Sequence, residues 1–371
     1  MYLDAEFHDH APAARAIEVG VNTALIALKD DLPDGVTVRL VRKDHRGNVK
    51  RTTRHLREYL ADPNALAVIG GLHSPPYLKH RDYVNENRIL LLLPWSAAGP
   101  ITRTDHSENW IFRLSVDDTK AGARIVSHAL DVKSCENPAL WLWDSGWGRS
   151  NEQTMTAALA ERGISEPNVL YFSGSLDSEQ AKVEALRLVG SGSDCALLVA
   201  NAAEGSKLIL ALAKLHASTR VVSHWGITGG LFSELVSAEM REQVGLEVLQ
   251  TCYSFRHQHP ALELARQTYA MEFGASGQIQ APTGFFHGYD IAALLIAALS
   301  SASQDASITE LRAHVRDRFE NAHLSVDGLM RHYERPFSPY SEANPDAHEA
   351  LGASDLCVTR YDEAGQLIPP R

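Results

Sequence analysis

The 371-residue sequence carries none of the short motifs that mark a nucleotide or a common catalytic centre. No GxGxxG follows a strand-like run and no GxxxxGKS/T occurs, so no phosphate-cradling loop is signalled. HExxH and GxSxG are also missing, and nothing places a Ser-His-Asp triad. An enzyme is therefore not expected. There is no CxxC, and the four cysteines, Cys135, Cys195, Cys252 and Cys357, are scattered. Cys195 sits in the apolar run "CALLVA" and reads as a core residue. Four cysteines in so long a chain decide nothing about redox compartment. Basic runs are absent and the net charge is -11, which disfavours nucleic acid. The longest apolar run, Ile291 to Leu299, is far shorter than the roughly 20 residues of a membrane span, so no membrane insertion is expected. No charged, then apolar, then small-residue leader precedes Tyr2. The expectation is either a cytoplasmic protein or one whose leader was removed or never included.

What is present is an alternation of short apolar runs with amphipathic ones. The hydrophobic fraction of 44% suffices for packed cores, and the length suits two domains. "ARAIEVGVNTALIALKD" has helical spacing, and "VTVRLV" alternates like a strand. "DHRGN" turns the chain before the helix "RTTRHLREYL". "ALAVIGG" and "ILLLL" read as buried strands around the helix "PYLKHRDYVNEN". A second series of similar size runs from "DDTKAGARIVSHAL" through "ALWLW", "VLYF", "CALLVA" and "RVVS". "LEVLQTCYSF" and "DLCVTRYD" read as later strands, and "SPYSEANPDAHEA" as a surface loop. Continuous apolar strands separated by helices predict an α/β fold with parallel sheets covered on both faces.

Ligands of open parallel sheets bind beyond the carboxyl ends of the strands. That directs attention to "DAEFHDH", "GGLHSPP", "PWSAAGP", "DSGWGRS", "NAAEG" and "SHWGITGG". Gly70 and Gly71 allow a tight turn after their strand. Ser74 begins the next helix, where it either caps the helix or helps to hold a carboxylate. Trp95 is either a pocket wall or core. Side chains alternate along an extended stretch, so Glu6, His8 and His10 share one side and Phe7 and Asp9 the other. Phe7 or His8 then belongs to a ligand wall, while Asp9 and His10 are solvated or cap the helix. His8, His73, His224 and His287 could hold a transition metal if they converged. With 17 histidines in the chain, chance placement and hydrogen bonding to an organic acid is the preferred reading. No metal and no cofactor is expected.

The order "VIGGLHS", "ILLLLPWSAAGPITR", "FRLSVDDTKAG", "DSGWGRSNEQTMTAALAERG", "GYDIAALLIAAL" resembles the type I periplasmic binding proteins of the leucine/isoleucine/valine-binding and amide-binding group. The resemblance covers nearly the whole chain. It implies two Rossmann-like lobes with parallel central sheets, joined by three crossovers, with a ligand cleft between them that closes by a hinge motion. The crossovers are expected near Ser115 to Asp118, Gln250 to Tyr253 and Ser325 to Leu329. One lobe is then 1–116 with 252–326, and the other 117–251 with 327–371. The implied role is binding a small solute and delivering it to an ABC importer permease from the periplasm. The alternatives are a cytoplasmic sensor acting on a regulatory protein, or a metal-containing ligand held by cleft histidines.

The resemblance also implies ligand-binding positions. Ser74, with His73 beside it, stands where the family binds ligand through a serine. Trp95, Ser96, Ala97 and Ala98 occupy the loop that gives a carbonyl to the ligand ammonium and a threonine to its carboxylate. That threonine appears here as Ala97 or Ala98. Trp147 matches the aromatic of an aromatic-glycine pair and offers a stacking face. Asn201 replaces a frequent tyrosine, and His224 and Trp225 replace an acidic residue that binds the ammonium. Phe286 lies on the helix "TGFFHGYD". An unpaired buried ammonium is costly, so the expected ligand is an aromatic or planar carboxylate, or an amide, rather than a standard amino acid.

Overall fold

The computed structural model describes residues 1–7, 12–104, 106, 108–252, 260–273, 281–321 and 323–369. His8, Asp9 and His10 lie outside the described residues. The chain divides into two compact units, Met1–Ser115 with Tyr253–Leu351 and Val116–Cys252 with Gly352–Arg371.

The first unit is built on five parallel strands: β1 (Tyr2–Ala5), β2 (Val41–Asp44), β3 (Val68–Gly70), β4 (Leu91–Leu93) and β5 (Ile111–Arg113). Their order is β2-β1-β3-β4-β5. Helices α1 (Pro12–Ala27), α2 (Val49–Ala61) and α3 (Pro75–Glu86) connect them. The central strands β3 and β4 are fully buried runs without a charged or polar side chain, as a sheet covered on both faces requires. Tyr2 and Asp4 point from β1 to α2, where they meet Tyr59 and His55.

The later helices of this unit are α10 (Pro260–Phe273), α11 (Pro282–Leu299) and α12 (Ile308–Asn321). By length and composition α11 could cross a membrane, yet 89% of it is buried inside the protein. It packs along α1. A Cβ at Gly20 would fall 2.2 Å from the Phe285 carbonyl, and one at Gly288 would fall 2.6 Å from the Ile17 carbonyl. Only glycine permits the two backbones to approach so closely.

The second unit has strands β6 (Pro138–Trp143), β7 (Asn168–Phe172), β8 (Cys195–Val199), β9 (Arg220–Ser223), β10 (Glu247–Thr251), β13 (Leu356–Tyr361) and β14 (Leu367–Ile368). Their order is β14-β13-β10-β9-β8-β6-β7. The run from β7 to β10 is parallel, and β13 returns antiparallel to β10. Helices α4 (Asp118–Asp131), α5 (Gly146–Ala160), α6 (Ser178–Gly190) and α7 (Ala202–Lys214) make the connections, followed by the short α8 (Phe232–Leu235) and α9 (Ala238–Gln243).

Three expectations need correction. The second strand is Val41–Asp44, not "VTVRLV". It is the edge of its sheet and only half-buried, so it carries no clean apolar alternation. Cys195 is buried as a core residue, and it is bonded to Cys135, while Cys252 is bonded to Cys357. The "SPYSEANPDAHEA" stretch is not all surface, because Ala347, His348 and Glu349 are buried.

Finally, residues 327–351 belong to the first unit rather than the second. Polar ties hold them there. The β11 (Ser325–Asp327) and β12 (His332–Glu334) hairpin is pinned by Asp290 of α11, which accepts from Leu329 N, Met330 N (2.9 Å) and the Tyr333 hydroxyl (2.7 Å). Further on, Arg113 N donates to His348 O, and Ala350 N donates back to Arg113 O, both at 2.9 Å.

Candidate functional site

Each parallel sheet reverses its strand order once, between β1 and β3 in the first unit and between β6 and β8 in the second. Loops at the carboxyl ends beside such a reversal form the ligand-binding edge of an open α/β sheet.

In the first unit, the loop after β3 brings His73 to Glu6, with Nδ1 to Oε2 at 2.5 Å. Ser74 precedes α3 but makes no side-chain cap. Its hydroxyl oxygen instead accepts from Ala98 N at 3.2 Å, joining the loops after β3 and β4. The Ser74 hydroxyl hydrogen therefore remains available for donation. Ser96 donates to Gly71 O at 2.7 Å, a second tie between the same loops. Ala97 and Ala98 are buried beside it.

Behind this loop lies a residue not singled out from the sequence. Arg113, at the end of β5, is fully buried. Its Nη1 donates to Ser96 O (3.1 Å) and Ala98 O (3.0 Å). Its Nη2 donates to Gly99 O (3.2 Å), Thr102 Oγ1 (2.8 Å) and Glu349 Oε1 (2.8 Å).

Trp95 is fully buried, its ring lying 2.7 Å from where a Cβ at Gly284 of α11 would go and its Nε1 without a hydrogen-bond partner. Phe286 is fully buried and meets Phe285 edge-on. His287 donates from Nδ1 to Pro94 O at 2.7 Å, and burial pulls its pKa down to about 4. It is a core histidine that fastens the end of β4. Phe7 is half-buried, with its N–H on Asp44 Oδ1 and its ring beneath Arg42.

In the second unit, Trp147, His224 and Trp225 come together. The Trp147 and His224 rings are perpendicular with centroids 5.1 Å apart, and His224 and Trp225 lie 4.4 Å apart. Asn201, at the start of α7, makes no side-chain cap, and its Oδ1 lies 3.0 Å from the Cβ position of Gly226.

The cluster is organised by Asp118, which sequence reasoning placed only at a crossover. Asp118 Oδ1 accepts from Trp147 Nε1 at 3.1 Å and faces His224 Nε2 at 3.1 Å. Asp118 Oδ2 and His224 Nδ1 are buried without a hydrogen-bond partner. Assigning the Nε2 proton to the Asp118 bond leaves Nδ1 an acceptor. Two buried acceptors beside indole rings can take an N–H or O–H donor. An acidic residue is therefore present here, supplied by the first turn of α4 instead of the loop after β9. The adjacent pair Asp117-Asp118 is the only sequence signal, since one acid caps the helix through Lys120 N and leaves the other to face inward.

Among the described residues, His287 bonds a carbonyl and His73 meets Glu6 in the first unit, and His224 meets Asp118 in the second. Within the second unit, the group of metal-type donors among the described residues is Cys135, Asp194 and Cys195, whose two sulfurs are bonded to each other.

Both units are α/β with parallel sheets, and both carry donor or acceptor groups on loops at the strand ends. The chain belongs to the periplasmic binding protein family, whose model matches residues 9–350. Similar solved structures extend over the whole length. One is a type 1 periplasmic binding protein from Bordetella pertussis Tohama I, 15% identical, with a TM-score of 0.76, covering 100% of this chain and 99% of that one. Another is an ABC transporter solute binding protein from R. palustris in complex with benzoate, 15% identical, with a TM-score of 0.77 and coverage of 99% and 94%. A third is a leucine binding protein from Thermotoga maritima MSB8, 15% identical, with a TM-score of 0.73 and coverage of 99% and 96%. No curated protein matches the sequence.

Proposed function

We propose that this chain is an extracytoplasmic solute-binding protein, its two units serving as the lobes of the family, that passes a small organic ligand to an ABC importer. The ligand class we favour is a planar aromatic carboxylate or amide bearing a hydrogen-bond donor. The observation that carries this reading is the pair of buried, partnerless acceptors, Asp118 Oδ2 and His224 Nδ1, set beside Trp147 and Trp225. Leaving such atoms unpaired costs about 1–3 kcal/mol each, and a ligand N–H or O–H would relieve that cost. The indoles supply flat apolar walls. On the first unit, Ser74 keeps a hydroxyl hydrogen suited to a carboxylate oxygen.

Similar structures hold benzoate and 4-hydroxybenzoate, which supports the same ligand class. Two disulfides support an oxidising compartment outside the cytoplasm. A thermal-shift panel of benzoate, 4-hydroxybenzoate, benzamide and leucine tests the reading, because a ligand of the native state raises stability by mass action. The hydroxylated acid should give the largest shift. A shift with leucine and none with any aromatic compound would replace the proposal with amino-acid binding.

A further inference from the structure

The β11–β12 hairpin of the first unit carries two histidines and two acids on one face. Its register pairs Ser325 with Glu334 and Asp327 with His332. Side chains alternate along a strand, so His323, Ser325 and Asp327 on one arm share a face with His332 and Glu334 on the other. The burial agrees: these five are exposed, while Leu324 and Tyr333 between them are buried. The backbone beneath is held, because the Tyr333 hydroxyl reaches Asp290 and Arg335 N donates to Leu324 O at 2.9 Å. This face is remote from the loop after β4. Trp95 of that loop meets Gly284 of α11, whereas Ser325 and Val326 share a pocket wall with Ile296 of the same helix. From Gly284 to Ile296 is roughly 18 Å along the helix axis.

Two imidazoles flank one carboxylate here. Glu334 Oε1 lies 2.5 Å from His323 Nε2, and Glu334 Oε2 lies 3.4 Å from His332 Nε2. His332 is oriented by the second acid, since its Nδ1 donates to Asp327 Oδ1 at 2.7 Å. A carboxylate on one ring nitrogen sets the tautomer and aims the lone pair of the other, which is how metal-binding histidines are held. In the neutral ring, Nε2 is then an acceptor, taking the Ser325 hydroxyl at 3.2 Å and facing a second acceptor in Glu334 Oε2. A cation between them resolves two such lone pairs. Bonds of about 2.0 Å to zinc put tetrahedral ligand atoms about 3.3 Å apart, close to that spacing. His323 is held differently. Arg335 Nε donates to its Nδ1 at 2.9 Å, so its Nε2 carries the proton that Glu334 accepts.

We propose that His323, His332 and Glu334 form a surface site for a divalent transition metal ion of the zinc class, with Asp327 orienting His332 and Arg335 competing for His323. Binding moves the His323 proton from Nε2 to Nδ1 and releases Arg335. Two imidazoles and a carboxylate suit zinc better than magnesium or calcium, which prefer oxygen donors alone. The site is independent of the solute-binding reading above.

The probe is Zn2+ alone, titrated calorimetrically into the metal-stripped full chain. All four cysteines are in disulfides, so no thiol competes for it. The parent chain should show a saturable event at one equivalent. His323→Ala and His332→Ala should each weaken it by about tenfold or more, and Asp327→Asn by a smaller factor. Arg335→Asn removes the competing donor, and asparagine tolerates the φ of 47° at this position. That variant should bind Zn2+ about threefold more tightly, the scale of an exposed charge interaction. All four positions are exposed, so the metal-free variants should unfold at the parent's temperature. No saturable event in the parent chain would reduce the cluster to surface ion pairs and overturn the proposal. Binding that both His→Ala variants leave unchanged would overturn it as well, because the ion would then sit elsewhere among the 17 histidines. Unchanged or weaker binding by Arg335→Asn would overturn Nε2 as the ligand atom of His323.

Discussion

Asp118 and Ser74 show how single side chains set the chemistry of each unit. Asp118 spends one oxygen on Trp147 and His224 and leaves the other buried without a partner, the acceptor on which the proposed ligand contact rests. Asp118→Ala should weaken binding of 4-hydroxybenzoate by about 1.5–3 kcal/mol, the range for a hydrogen bond to a charged group. Titration against benzoate is the control, because an acid without the hydroxyl should lose less. Ser74→Ala removes the acceptor of Ala98 N, so denaturant unfolding should show a loss of about 1 kcal/mol. Affinity for benzoate should fall about tenfold. Unchanged affinity would move the ligand away from this loop. Ser74, Trp147 and His224 were legible in the sequence because they sit in short loops after recognisable strands. Asp118 and Arg113 were not, for a physical reason. An acid in the first turn of a helix reads as a partner of the helix dipole, and an arginine in a strand reads as surface until its five donors are located.

At the scale of elements, Asp290 gives the clearest pH-dependent contact. Burial raises its pKa to about 7, against the lowering effect of two backbone N–H groups and the Tyr333 hydroxyl. A carboxyl whose folded pKa lies above its unfolded one binds more protons when folded. Its contribution to stability is therefore complete below about pH 4 and is lost as the pH rises toward 7. Within that window the loss approaches about 1.4 kcal/mol per pH unit. Asp290→Asn should flatten this part of the stability profile while lowering stability at pH 5, because its amide NH2 would face a backbone N–H. Urea unfolding at pH 5 and pH 8 checks both effects, and an unaltered slope would remove Asp290 as its source. The elements themselves were mostly readable. The buried strands β3, β4 and β8 are apolar runs that admit little else. The edge strand β2 was misplaced because none of its residues is fully buried, so it carries no apolar run. The 327–351 segment was assigned to the wrong unit because Asp290, Arg113 and Glu349 hold it through polar contacts between residues far apart in sequence, which no periodicity records.

At the scale of the whole molecule, covalent reinforcement is uneven. Both disulfides lie in the second unit: Cys135–Cys195 spans 60 residues and Cys252–Cys357 spans 105. Among the described residues the first unit has no cysteine at all. Spacing alone could not reveal these pairs, since four cysteines allow three connectivities. Cys252 is the last residue of the second unit before the chain returns to the first, and Cys357 lies on β13, which pairs antiparallel with β10. The Cys252–Cys357 bond therefore ties a chain exit to the strand formed after the chain comes back. Each native disulfide contributes about 2–5 kcal/mol, chiefly by restricting the unfolded chain. Reduction should accordingly destabilise one unit and spare the other. Hydrogen exchange with and without a reductant would resolve this, with amides of β6, β8 and β10 losing protection while those of β3 and β4 keep theirs. Cys252→Ser with Cys357→Ser should reproduce the change most strongly at β10 and β13. Equal loss of protection in both units would mean that the two unfold as a single cooperative body, and the disulfides would then stabilise the whole chain rather than the half that contains them.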